Sequence, residues 1–254
     1  MQTGLKEKIK IIFALVKRDY AIQFAGSILG ILWVLIQNLV MIAVYTVVFI
    51  FLNLKNSSTQ PEYIPYIFSG LLFWLPINDF IIRGTSILTE NRHLIKRSPL
   101  GSDFFLWVPY FQFLIHMFVT SIPVFVLLYF FSGLSRWFFL VYPFILFFGL
   151  YLQMLVHYLA RANIILKDIS PVIRLFSQFF FWTLPVLYYP VNPLLYQLNW
   201  WNPLNYPLEI FRMILLNNYS PRFSPLPFVI YIIVFFIIFQ LSKNRFNDLV
   251  SDHL

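Results

Sequence analysis

Two acid–base pairs at helical spacing are the strongest chemical candidates in this sequence. Asp79 and Arg83 stand four residues apart, and Glu209 and Arg212 three apart. Both spacings put opposite charges on one helix face. His116 and His157 fall within apolar runs, where an imidazole is either a hydrogen-bonded packing residue or a proton relay. The four histidines, His93, His116, His157 and His253, show no metal-ligand spacing, and there is no cysteine for a thiolate or a disulfide. No Gly-x-Ser-x-Gly elbow is present, and the ten acidic residues are scattered, mostly in loops. That leaves no visible active site for a membrane enzyme. No glycine-rich loop ends in Lys-Ser/Thr, so the chain cannot bind ATP in that way. Any work it does must be driven by another protein or by an ion gradient. Asp79 and Arg83 lie toward the cytoplasmic end of their run and read as structural. The lack of deep carboxylates in the other runs counts against a proton- or sodium-coupled carrier.

These residues are carried by 254 residues that are 60% hydrophobic and only 11% charged. A soluble domain would carry about 25% charged residues, so the composition is that of an integral membrane protein. Six runs approach the ~20 apolar residues of a spanning helix: 30–52, 65–82, 104–131, 137–160, 172–189 and 226–241. The first residues show no short apolar core with a cleavage site, so no removable signal peptide is expected. Six spans place both termini on one side. With that side cytoplasmic, only Lys55, Arg136, Arg212 and Arg222 of the 18 basic residues fall outside. The asymmetry predicts cytoplasmic N- and C-termini. It also accounts for the net charge of +8 without nucleic acid or an acidic partner.

Three polar or basic segments punctuate the runs. Over 5–20, LKEKIKIIFALVKRDY, apolar Leu5, Ile9, Ile12, Phe13 and Val16 recur at helical spacing, with Lys6, Lys10 and Lys17 largely off the stripe. This predicts an amphipathic interfacial helix over 1–25. Gly26 and Gly30 favour a break before the first span over one long helix. The segment TENRHLIKRSP, 89–99, sets Arg92, His93, Lys96 and Arg97 around the apolar pair Leu94 and Ile95. It reads equally as positive flanking charge or as a short helix docking in a partner's groove. The run 188–212, YYPVNPLLYQLNWWNPLNYPLEIFR, is too proline-broken to span lipid as one helix and too apolar for a water-exposed loop. It predicts a mouth or gate at one membrane surface, or dipping partway in, where protein satisfies its backbone. Aromatic residues make up 21% of the chain. Trp33, Trp137, Trp200 and Trp201 fit interfacial anchoring; alternatively some rings line a path and stack on sugars.

Together these stretches resemble the membrane subunit of ABC-2-type polysaccharide exporters, which move lipid-linked O-antigen, capsule or teichoic-acid chains. The carriers are VKRDYAIQFAGSILGILWVLIQNLV (16–40) with its Gly-x-Leu-Trp motif, TENRHLIKRSP, LKDISPVIRLFSQFFFWTLPVLYYP (166–190) and WWNPLNYPLEIFRMIL (201–216). Asn38 replaces a proline common in the family, Lys167 an arginine, and Ser98-Pro99 an aromatic-proline pair; subfamilies carrying different glycans differ at such positions. The resemblance implies an all-α, six-span domain over 1–254, with spans 1–5 over 30–189, an extracytoplasmic gate over 190–222 and a last span over 226–242. It implies a homodimer around a channel in the bacterial inner membrane, exporting an undecaprenyl-linked polysaccharide. Two copies of a separate ATPase subunit would carry ATP and Mg, with no cofactor on this chain. Arg92–Arg97 would form the ATPase contact, with Ile9, Phe13, Lys17, Arg18 and Asp19 of the interfacial helix. Trp200, Trp201, Asn202, Pro203, Glu209 and Arg212 would form the gate. Trp33, Tyr45, Tyr188 and Tyr189 are candidate glycan contacts. An exporter of a small lipid or drug, an ATP-independent carrier and a membrane enzyme are the alternatives.

Overall fold

A computed structural model describes residues 5–51, 63–98, 100–131, 133–190 and 192–253, the side chains of Leu5, Phe49, Ile50 and 243–253 excepted. Lys55, Pro99, the charges of Lys243 and Arg245 and the imidazole of His253 lie outside the described residues. Among the described residues the regular structure is helical, with one isolated antiparallel bridge, Leu134 to Leu216.

The first helix, α1 (Leu5–Gln23), ends in a turn, and α2 (Leu32–Phe51) begins after it. Gly26 and Gly30 both take positive φ in between, a conformation that favours glycine and breaks the helix there. The central element is α3 (Tyr63–Glu90), whose most apolar stretch is 72% buried inside the protein. Around it pack α6 (Trp107–Phe130), α7 (Val141–Ile165), α8 (Ile169–Thr183) and α10 (Asn205–Leu215). The long α11 (Leu226–His253) lies along α7. Close packing is permitted by glycine: a Cβ at Gly84 of α3 would collide with the Val156 side chain of α7. Two short helices, α4 (Arg92–Arg97) and α5 (Ser102–Phe105), join α3 to α6, and α9 (Pro193–Trp200) precedes α10.

Among the described residues, three helical stretches are long and apolar enough to cross a membrane: Tyr63–Glu90, Ser102–Phe130 and Phe138–Ile165. Leu32–Val48 and Leu226–Ser242 are apolar but shorter. The fifth expected span, 172–189, takes another form. Its helix α8 has 15 residues, about 23 Å of rise against the ~30 Å of a hydrocarbon core. It stops because Leu184 precedes Pro185: the proline ring pushes Leu184 out of helical geometry, to φ −72° and ψ 137°.

Candidate functional site

The proline-broken segment folds back into the protein. After α8 the chain runs without helix through Pro190, enters α9, turns at Trp201–Leu204 and leaves through α10. The turn lies beside Trp74, in the middle of α3: both line one cavity with Pro203 and Leu204. Non-helical backbone at that depth must find its hydrogen bonds in protein. Three asparagines at spacing three supply them. Asn202 accepts the Leu204 amide at 3.0 Å, Asn205 Nδ2 donates to the Asn199 carbonyl at 3.1 Å, and Asn199 Nδ2 donates to the Leu195 carbonyl at 2.8 Å. All three are buried. Tyr231 of α11 donates to the Trp201 carbonyl at 2.6 Å. Thus α9 and α10 form a helical hairpin whose tip is held by side-chain amides.

The non-helical strap 184–190 is pinned to the first turns of α3. Tyr63 Oη donates to the Leu187 carbonyl at 2.8 Å, and Tyr66 Oη lies 2.9 Å from the Pro185 carbonyl and 3.1 Å from that of Tyr188. Arg212 of α10 is wholly buried behind the strap. Its Nη2 donates to the Val186 carbonyl at 3.1 Å, and its guanidinium carbon stands 3.5 Å from the centroid of the Tyr66 ring. Gly70 makes this approach possible, since a Cβ there would sit 2.5 Å from the Val186 carbonyl oxygen and 2.7 Å from Arg212 Nη2. The expected Glu209–Arg212 pair exists, but at 3.8 Å it is an ion pair without a hydrogen bond. Glu209 instead accepts from Tyr219 Oη at 2.6 Å and from the Arg222 amide at 2.9 Å. Burial raises the Tyr219 hydroxyl above the usual phenol range, which keeps it a donor.

The other end of the bundle carries the basic helix. Ile95 of α4 is buried in a second apolar cluster with Ile12, Val16, Tyr20, Ile87 and Phe104. Leu94 faces out, and Arg92, His93, Lys96 and Arg97 are exposed around it. The pair Leu94–Ile95 is therefore divided: Ile95 ties α4 to the protein and only Leu94 presents an apolar side chain outward. In α1 the inward residues are Ile12, Val16 and Tyr20, while Ile9, Phe13 and Lys17 are exposed. Arg18 bonds both Asp19 and Asn91 Oδ1, which fastens α1 to the junction of α3 and α4.

Two charged clusters brace this end. Asp79 accepts from Arg83 Nε at 2.8 Å and lies 3.1 Å from His116 Nδ1, so the expected i,i+4 pair is joined by a histidine from α6. The Tyr20 ring lies 6.1 Å from that imidazole, and burial raises its hydroxyl above the phenol range. The second cluster was not legible in sequence. Arg161 of α7 is wholly buried, pairs with Asp103 of α5 at 2.5 Å and donates to Ser242 of α11 at 3.1 Å. The signal available was a lone arginine at the end of an apolar run; its partners lie 58 and 81 residues away.

The four candidate glycan contacts are not gathered together. Trp33 is exposed on α2, and the Tyr45 ring packs on Phe181 at 5.3 Å. Tyr188 donates to the Thr183 carbonyl, and the Tyr189 ring packs at a tilt against Tyr66, centroids 4.1 Å apart, with Arg222 over its own ring. Trp201 is exposed beside the hairpin turn, while Trp200 is half-buried near Tyr196.

Apolar helices of membrane length, packed around a buried central helix, define a multi-pass α-helical membrane protein. The family comparison makes this specific. The chain belongs to the ABC-2 type transporter family, whose model matches residues 10–216. It is similar to the O-antigen export system permease protein RfbA of Myxococcus xanthus, at 24% identity over 182 residues, covering 70% of this chain and 68% of that protein.

Proposed function

We propose that this chain is the transmembrane subunit of an ATP-driven exporter of lipid-linked polysaccharide, with O-antigen the foremost cargo. The observation that carries this reading is its membership of the ABC-2 family together with its similarity to an O-antigen export permease. In this reading two copies form a channel in the bacterial inner membrane, with both termini cytoplasmic. A separate subunit, in two copies, binds ATP and Mg, and the lack of a phosphate loop in this chain is in keeping with that division. The exposed face of α4, with Leu94 ringed by Arg92, His93, Lys96 and Arg97, is the docking surface for that subunit, flanked by the exposed Ile9, Phe13 and Lys17 of α1. The hairpin α9–α10 and its strap are the extracytoplasmic gate.

The burial pattern selects the test. Leu94→Asp changes an exposed side chain and leaves stability within about 0.5 kcal/mol, whereas a change at Ile95 would damage the fold itself. The variant should insert normally but lose co-purification with the ATPase and lose glycan export in cells. Normal export by Leu94→Asp would refute the docking role of α4.

A further inference from the structure

A half-open apolar cleft of about 360 Å³ lies against the hairpin turn. Its walls include Trp74 of α3, Leu152 and Leu159 of α7, Phe176 and Phe180 of α8 and Phe235 of α11. Its roof is Pro203 and Leu204. The two hydroxyls on its wall are already engaged within the protein: Ser177 donates to the Arg174 carbonyl and Tyr231 to that of Trp201. No charged side chain lines it. A cavity without free polar partners does not hold ordered water, and an apolar void of roughly 150 Å³ already takes up benzene. This cleft is more than twice that size and opens at the surface beside the exposed Phe176.

We propose that the cavity is a binding site for one hydrocarbon tail, the acyl chain of a bilayer phospholipid. Two observations select that occupant. First, α8 and α11, which wall the cavity, also turn bare apolar faces outward through Leu175 and Phe179 and through Ile233 and Ile237, so hydrocarbon surrounds both. Second, the lining carries no charged side chain that would hold a phosphate, so the site reads the tail alone, and phospholipids present tails at the highest concentration. The seated tail supports the hairpin turn from below through Pro203 and Leu204. The gate then rests partly on lipid, and its stability depends on the chain that fills the space. This deepens the proposed gating role of the hairpin, but the site itself needs neither ATPase nor glycan.

The test is photolabelling of the full chain in nanodiscs made with a phospholipid bearing a diazirine in its acyl chain, followed by peptide mapping. Adducts are expected on Leu155 and Phe180, which line the cavity, as well as on the exposed Phe179. Ser177→Trp fills the space; it should abolish the Leu155 and Phe180 adducts and leave the Phe179 adduct intact. Leu155→Phe, a milder filling, should reduce the Phe180 adduct without loss of fold. Adducts confined to Phe179, or cavity adducts unchanged in both filled variants, would overturn the site. Displacement of the cavity adducts by a small amount of added polyprenyl phosphate would overturn the phospholipid as occupant. A positive result with failed export assays would leave the site standing and remove only the export reading.

Discussion

Among the described residues two arginines are fully buried, one behind the strap and one near α4, and they are held in different ways. Arg212, behind the strap, meets the Tyr66 ring, the carbonyls of Val186 and Tyr66 and the Ser69 hydroxyl, with the buried Glu209 carboxylate as its ion-pair partner at 3.8 Å. Arg161, at the α4 end, makes a short pair with Asp103, whose side chain is 50% exposed, and a hydrogen bond to Ser242. A buried charge that leans on aromatic and backbone dipoles is fixed by packing, because moving it would strand it without solvent. One tied to a half-exposed carboxylate sits where the solvent screens its partner. The strap end is therefore built as a closed block. The α4 end is built as a joint, in which α5, directly after the basic helix, touches α7 and α11 through one arginine.

The comparison can be broken by substitution. Arg212→Met should have the largest effect. It removes the cation that orders the strap, leaves the Val186 carbonyl without its donor and strands the buried Glu209 carboxylate, a loss of about 3–5 kcal/mol. Denaturant unfolding in detergent measures it; a loss below about 1 kcal/mol would mean that the strap is held by Tyr63 and Tyr66 alone. Gly70→Ala should come next. Its new Cβ meets a backbone oxygen and a guanidinium that cannot both yield, at about 1–3 kcal/mol. The strap should loosen with it, read as faster hydrogen exchange at 184–190. Asp103→Asn should cost least, about 1 kcal/mol or below, since half of that side chain is already in solvent. A larger loss than that of Gly70→Ala would reverse the assignment of block and joint.

Much of this architecture was legible before any coordinates. The break at Gly26 and Gly30, the helix over 5–23 and the polar interruption before the last span follow from local rules about glycine, proline and periodicity. The asparagines of the hairpin were visible as residues, but not as a set. Their spacing of three means little until the chain turns between them. Ile95 shows the same gap. Its neighbours in sequence predict an exposed apolar pair, yet Ile12 and Val16 of α1, some eighty residues earlier, pack with it and take it inward. The fifth span was read through Pro185 because hydropathy does not register the steric rule that stops α8 at Thr183.

What the sequence determined by itself is the membrane class, the positions of the apolar helices and the lack of a phosphate loop, all properties of composition and short-range pattern. What only the tertiary structure decided is which charges are shared. Arg161 finds Asp103 and Ser242, Asp79 finds His116, and Arg212 finds Tyr66 rather than bonding to Glu209. A charge in a dry interior takes whatever partner the packing of distant helices delivers, and that delivery is not encoded in neighbouring residues.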